Sequence, residues 1–366
     1  MASGDEIRNA RSQGPANAAG PLLAAARTKS RLEGLEGASM RHLLRRFGFY
    51  LVALWASATL NFVIPRLAPG DPAAALLARM HGRISPAALH ALEIQYGITH
   101  ESLFAQYVKY LFNLLHGDFG TSFANAEPVT NVIVRDLPWT LVLVGMALII
   151  SFVIGTALGI VVAWWRGSRM DTVLMPAFTF LSAIPYFWFA LALVFILGYT
   201  LNWLPSNGGY DIYTYAPGWD LGFILSAAEY AVLPAFTIVV GSIAGWMLGM
   251  RNMMITTLSE DYVLMAEAKG LPRRRVMLTY AARNAILPNI TSFALSLGFV
   301  VSGSLLTEIV FNYPGIGYAL LQGVENKDYP VIQGLFLIIT IAVLLANLLA
   351  DLVYVLLDPR VRDEKG

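Results

Sequence analysis

Long apolar runs separated by short polar connections set the pattern of this chain. Six reach membrane length: residues 47–64, 137–165, 172–197, 232–250, 287–307 and 331–350. A helix crossing the hydrocarbon core needs about 20 mostly apolar residues. None of the six contains Lys, Arg, Asp or Glu, although Asp171, Glu308 and Asp351 stand at the borders. Three runs open with Leu-Pro, at Pro138, Pro234 and Pro288. Proline suits a first helical turn, where its missing N–H would have had no partner. These dipeptides are therefore expected to begin three of the helices. The pattern predicts an all-α membrane protein with six transmembrane helices.

Composition agrees. Of 366 residues, 57% are hydrophobic and 13% charged, and mean hydropathy is +0.59. Soluble domains carry about a quarter charged residues, so most of this surface must face lipid or protein. The absence of Cys excludes disulfides, thiolate metal sites and cysteine nucleophiles. Five scattered His residues argue against a metal site, and nothing resembles a nucleic-acid-binding module. Residues 1–39, rich in Ala, Gly, Arg and Ser, lack a signal-peptide core. They are expected to be a disordered cytosolic extension, or the product of a start codon placed too early, with a fresh start at Met40. The expected organisation is residues 1–39, then 40–136 (first span plus external segment), then 137–366 (the core).

Charge orients the spans, because Lys and Arg collect in short cytoplasmic connections. The connection after the second run holds Arg166 and Arg169. The one after the fourth holds Arg251, Lys269, Arg273, Arg274, Arg275 and Arg283, and the tail holds Arg360, Arg362 and Lys365. Residues 202–231 have no Lys or Arg, and 309–330 only Lys327. Both termini are expected in the cytosol of a bacterial cell, with the protein in its inner membrane. Residues 66–136 then form a long external segment with amphipathic stretches such as 103–115.

Within the spans, Gly155 and Gly159, and Gly241, Gly245 and Gly249, are spaced for close helix contact. That contact could lie inside the bundle or against another subunit. Pro185, beside Tyr186, either kinks a helix around a solute path or bends it for packing. Ser296, Ser302, Ser304 and Thr307 could line a polar route, or bond back to their own helices.

The connection at about 251–286 is too structured to be a mere link. Ser259 can cap a helix, and Glu260 and Asp261 place negative charge in its first turn. Tyr262 to Lys269 continues it, with Ala266 and Ala268 inside. Gly270 is a natural left-handed terminator and Pro272 forbids resumption. A short rigid helix outside the membrane can dock on a partner and pass on its movement.

The stretch Asp261-Tyr-Val-Leu-Met-Ala-Glu-Ala-Lys-Gly270-Leu271, followed by Tyr280-Ala-Ala-Arg-Asn-Ala-Ile-Leu-Pro288, resembles the cytosolic "EAA" loop of binding-protein-dependent ABC importer permeases, in their oligopeptide/dipeptide (peptide, nickel, oligosaccharide) branch. Further pieces fit the same branch. They are Pro69-Gly-Asp-Pro72, Gly117-Asp-Phe-Gly-Thr-Ser122, Phe311-Asn-Tyr-Pro-Gly-Ile-Gly317, Asp328-Tyr-Pro-Val-Ile-Gln-Gly334 and Leu357-Asp-Pro-Arg-Val-Arg362. Leu264, Met265 and Ala266 stand where the general pattern has Glu-Ala-Ala, and Glu267 where the branch often has a basic residue.

The resemblance implies a type I ABC importer permease fold. Its partners would be a second permease subunit, two ABC ATPases and an extracytoplasmic binding protein. Asp261, Tyr262, Ala266, Glu267, Ala268, Lys269, Gly270, Leu271 and Arg273 are then expected to meet an ATPase. No cofactor is expected on this chain, since ATP and Mg belong to the ATPases. The chain itself has no GxxxxGK[ST] loop for nucleotide. No charge lies mid-span to drive a proton relay, which disfavours a secondary transporter, and no nucleophile–base pair supports an intramembrane enzyme. Peptides are the first expected cargo and oligosaccharides the second.

Overall fold

The computed structural model describes residues 45, 47–64, 67, 102–122, 124–297, 300 and 305–357. The chain divides into two compact units, residues 1–53 with 358–366, and residues 54–357. The first shows, among described residues, only the opening turns of helix α1 (Phe47–Ile64). The extension at 1–39 and the motifs at 69–72 and 358–362 lie outside the described residues.

The larger unit is helical among its described residues. An amphipathic helix α2 (Leu103–Leu115) is capped by Ser102, whose Oγ accepts from the Ala105 N–H at 3.3 Å. Next come α3 (Val129–Trp164), α4 (Arg169–Ala183) and α5 (Tyr186–Leu193), which widens into a π turn at Val194–Thr200. The longest helix is α6 (Leu221–Leu258). Short elements follow: α7 (Asp261–Ala268), α8 (Arg273–Arg275), a second π turn (Val276–Ala282) and α9 (Arg283–Ala285). The chain continues through α10 (Leu287–Ser296), α11 (Leu305–Val310), α12 (Ile316–Glu325) and α13 (Tyr329–Leu357).

Two expectations need correction. Pro138 and Pro234 do not open helices, because α3 starts at Val129 and α6 at Leu221. Hydropathy marks where a helix enters apolar surroundings, not where its hydrogen bonds begin. The true start of α6 is set by Asp220, whose carboxylate accepts from the Phe223 N–H at 2.9 Å. A proline inside a helix is tolerated when neighbouring helices hold the segment. Only Pro288 sits in a first turn.

The run at 172–197 is also not one straight span. It breaks at Ile184–Pro185 into α4 and α5, which meet at 92°. Pro185 cannot donate to the preceding turn and instead becomes the N-cap of α5. Four helices (α1, α3, α6 and α13) are long and apolar enough to cross a membrane, and the broken pair makes a fifth. The run at 287–307 is helical as α10 and α11, with part of the intervening chain outside the described residues.

The glycine ladders are used inside the bundle. A Cβ at Gly155 would meet the Ile243 carbonyl at 2.7 Å, and one at Gly159 the Met247 carbonyl at 2.6 Å. Close backbone approach between α3 and α6 therefore requires both glycines. Gly241 makes room for Tyr186 and Gly249 for Asn289, whereas Gly245 meets nothing within 4 Å. At the end of this pair that leads into α7, Arg251 bonds Asp171 with N–O distances near 3.0 Å.

Candidate functional site

Two constructions lie at opposite ends of α3, the first a protruding arm. Ser259 does not cap α7. The preceding helix runs to Leu258 and takes Ser259 as its own C-cap, with the Ser259 hydroxyl donating to the Thr256 carbonyl at 2.7 Å. The N-cap of α7 is Glu260, which makes no side-chain cap bond. The other terminus is built as expected. Gly270 has φ +72°, its N–H reaches the Glu267 carbonyl at 2.8 Å, and the Leu271 N–H reaches back to Ala266 at 3.3 Å. That bond pair with an apolar residue just beyond the glycine is a Schellman terminator. Leu271 supplies the apolar contact, packing against the cluster of Val263, Ala266 and Val276, on which Tyr280 and Trp164 also rest.

This packing sorts the expected contact residues into two faces. Ala266 is buried and Leu271 half-buried against the chain itself, so Ala266 helps to fasten the arm to its own bundle. Helical period explains the sorting, since Val263 and Ala266 share one buried face of α7. Asp261, Tyr262, Glu267, Ala268, Lys269, Gly270 and Arg273 are exposed. Beside them stand Leu264 and Met265, 50% and 57% exposed. Sequence reasoning noted those two only as departures from a pattern, although apolar residues at i+2 and i+3 from Tyr262 were a signal for an outward apolar face.

The second construction is a knot of buried carboxylates, about 36 Å away along α3 at 1.5 Å per residue. Glu308, fully buried on α11, accepts from the Thr140 hydroxyl at 2.8 Å and the Gly317 N–H at 2.6 Å. Thr140 in turn accepts from the Ile316 N–H at 2.9 Å. One side chain from α3 and one from α11 thus satisfy the first free N–H groups of α12, where a negative charge is favoured. Side chains are excluded from the cradle, because a Cβ at Gly315 or Gly317 would run into the Glu308 carboxylate. Burial, and secondarily the Glu308 charge, raise the pKa of the neighbouring Tyr313 hydroxyl, keeping it neutral.

A second buried acid ties the same end. Asp328 accepts from the Ser122 hydroxyl at 2.6 Å and the Ala124 N–H at 2.9 Å. Gly334 lies against Val129, and Gly120 against Pro330. Three motif pieces far apart in sequence (117–122, 311–317 and 328–334) therefore meet here. A cavity of about 270 Å³ opens beside them, edged by Asn125, Arg135, Asp136, Gln322 and Asn326. Thr140 was not singled out from sequence, while Glu308 was noted only as a border residue and Asp328 only as the first residue of a motif.

Of the expected route residues, Pro185, Tyr186, Ser296 and Thr307 lie among the described residues. The Ser296 hydroxyl donates to its own helix at Phe293 (2.7 Å). Thr307 is fully buried and its hydroxyl has no partner among the described residues. Tyr186 packs against Gly241 beside Pro185, and Ser302 and Ser304 lie outside the described residues. Among the described residues no His, Cys, Asp and Glu group could hold a metal ion.

The family model for the binding-protein-dependent transport system inner membrane component matches residues 155–363, more than half of the chain. The chain belongs to that family. The model for the N-terminal part of these transport components matches residues 39–144, so both the arm and the knot fall within matched sequence. The oligopeptide transport system permease protein AppB of Bacillus subtilis is 34% identical over 87% of this chain and 98% of its own length. The di/tripeptide transport system permease protein DppB of Pseudomonas aeruginosa is 33% identical over 88% and 99%. The dipeptide transport system permease protein DppB of Escherichia coli K12 is 32% identical over 89% and 100%. Membership in this inner-membrane permease family, with four or five apolar spanning helices, makes the chain a multi-pass inner-membrane protein.

Proposed function

We propose that this chain is a transmembrane permease subunit of an ATP-driven importer of peptides. It forms the translocation path with a second permease and is driven by two separate ATPase subunits, which hold ATP and Mg, while an extracytoplasmic binding protein delivers the cargo. Peptides rank before oligosaccharides because the relatives named above are oligopeptide, dipeptide and di/tripeptide permeases. Six spans, with both termini and the arm in the cytosol, fit the basic residues at 251–283 and their absence from 202–231.

The observation that carries the reading is the arm. Helix α7 is fastened to its own bundle through Val263 and Ala266 and turns Tyr262, Leu264, Met265 and Ala268 outward. An apolar face on a short, rigidly terminated helix suits a groove on a moving partner. Displacement then passes through α7 to Val276 and the π turn, and so toward α10.

The chain is Cys-free, so Ala268→Cys paired with a single Cys on the ATPase reports docking directly. The expected result is a disulfide whose yield changes with ATP, in a complex that takes up a labelled dipeptide or oligopeptide. Peptide uptake by the lone purified subunit in liposomes would overturn the reading.

A further inference from the structure

Helix α2 is held on one flank and bare on another. The Tyr107 and Thr59 hydroxyls share a hydrogen bond at 2.7 Å. The Phe62 ring meets Tyr107 edge-on and Tyr110 at a tilt, with centroids 5.2 and 5.5 Å apart. Tyr107 and Tyr110 thus mark the flank that rests on the last turn of α1. At 3.6 residues per turn, Phe104, Val108, Phe112 and Leu115 fall within an arc of about 80° on a second flank. They are 76%, 50%, 60% and 86% exposed. Gln106, Lys109 and Asn113 form the third flank, opposite that stripe.

The anchors of α2 fix its depth. Helix α1 is an 18-residue span, about 27 Å long, so it just crosses a hydrocarbon core of about 30 Å. Its last turn therefore lies at the edge of that core. Thr59 and Phe62 stand before Ile64, about 8 and 3 Å inside the end of the span. A second span agrees, because the Asn61 carbonyl accepts from Gln333 Nε2 at 2.8 Å. Gln333 opens the apolar run at 331–350. Helix α2 is thus tied where acyl chains give way to headgroups. With 13 residues, about 20 Å, it is too short to cross the bilayer. A helix lying in that layer needs water on one side and acyl chains on the other. With the α1 flank turned sideways, the polar flank and the bare stripe of α2 point to those two sides. The helix carries Lys109 and neither Asp nor Glu, which suits phosphate headgroups.

We propose that α2 is an in-plane helix seated in phospholipid, with Phe104, Val108, Phe112 and Leu115 entering the acyl border and Lys109 among the headgroup phosphates. The stripe continues the bare outer turn of α1, where Leu60 and Ile64 are exposed. Lipid contact there also reaches the knot. Just past α2, the Thr130 hydroxyl donates to the Gly117 carbonyl at 3.4 Å and the Val129 N–H to the Gly120 carbonyl at 3.0 Å. Ser122 then bonds Asp328. The seat therefore steadies the knot against the bilayer surface. It requires only that the chain spans a membrane, whatever its cargo.

The test uses the full chain, purified with its accompanying subunits and placed in nanodiscs of phosphatidylethanolamine and phosphatidylglycerol. No native Cys competes for label, so a fluorophore on Val108→Cys reports the stripe and one on Asn113→Cys the polar flank. Phospholipid with a nitroxide on its acyl chain should quench the Val108 probe at least threefold more than the Asn113 probe. Aqueous iodide should give the reverse order. A probe on Leu115→Cys repeats the reading should the Val108 label disturb the helix. Equal quenching of stripe and polar flank by either agent would overturn the seat. So would stripe probes shielded from both agents, which would mean that protein covers the face.

Discussion

The two ends of α3 are held by different forces. At the arm, α7 rests on a small apolar cluster, a backbone terminator at Gly270 and an N-terminus without a side-chain cap. At the knot, buried Glu308 and Asp328 gather α3, α11, α12, the 117–124 segment and the start of α13 through charge-assisted hydrogen bonds. Apolar contacts are non-directional and let surfaces shift with little loss. A buried carboxylate punishes any movement that strips it of its donors. The arm is therefore the compliant end of α3, and the knot is fixed or all-or-none.

The strongest way to break that contrast is to fill the cradle. Gly315→Ala and Gly317→Ala each force a methyl group into the Glu308 carboxylate. Each should cost about 3 kcal/mol or more, combining overpacking with displaced charged hydrogen bonds. Thermal unfolding in detergent should show the loss, while Gly245→Ala, facing open space, should scarcely move the midpoint. Next in size is Thr140→Val, which removes a donor to Glu308 and an acceptor for Ile316 at nearly constant volume. It should cost about 2–3 kcal/mol, and its effect should be non-additive with that of Glu308→Gln, because the two groups share one network. Additivity within about 0.3 kcal/mol would mean the carboxylate does not unite the elements.

At the arm, effects should be smaller in stability and larger in coupling. Gly270→Val places a branched side chain at φ +72° and should cost about 1–2 kcal/mol locally. The complex should still insert, but lose substrate-stimulated ATPase activity. Normal stimulation in this variant would count against the arm as transmitter. Smallest of all is a gain: Glu260→Asp supplies the missing N-cap acceptor and should stabilise α7 by about 0.5–1 kcal/mol. Slower amide exchange confined to residues 261–268 would show it.

The arm was largely legible in the sequence, because its signals are local. Gly270, Pro272 and the flanking basic residues each state a backbone preference that nothing distant contradicts. Ser259 misled because a hydroxyl can serve either the end of one helix or the start of the next, and only the length of α6 decides between them. Pro138 and Pro234 misled because apolar length reports lipid thickness, whereas α3 and α6 extend past it. The knot was illegible for another reason. Thr140 and Glu308 are 168 residues apart, and no periodicity links a lone Thr in an apolar run to a border Glu. The motif at 311–317 was visible, but its purpose required the carboxylate that its glycines accommodate.

Between the arm and α10 the chain does not follow ordinary helical pitch but swells at Val276–Ala282 into a π turn, a form that stores surplus backbone within a helix. Tightening such a segment by a single residue corresponds to about 100° of turn but only about 1.5 Å of advance. The π turn thus gives the chain between α7 and α10 a joint whose one-residue tightening is chiefly rotation and only slightly translation.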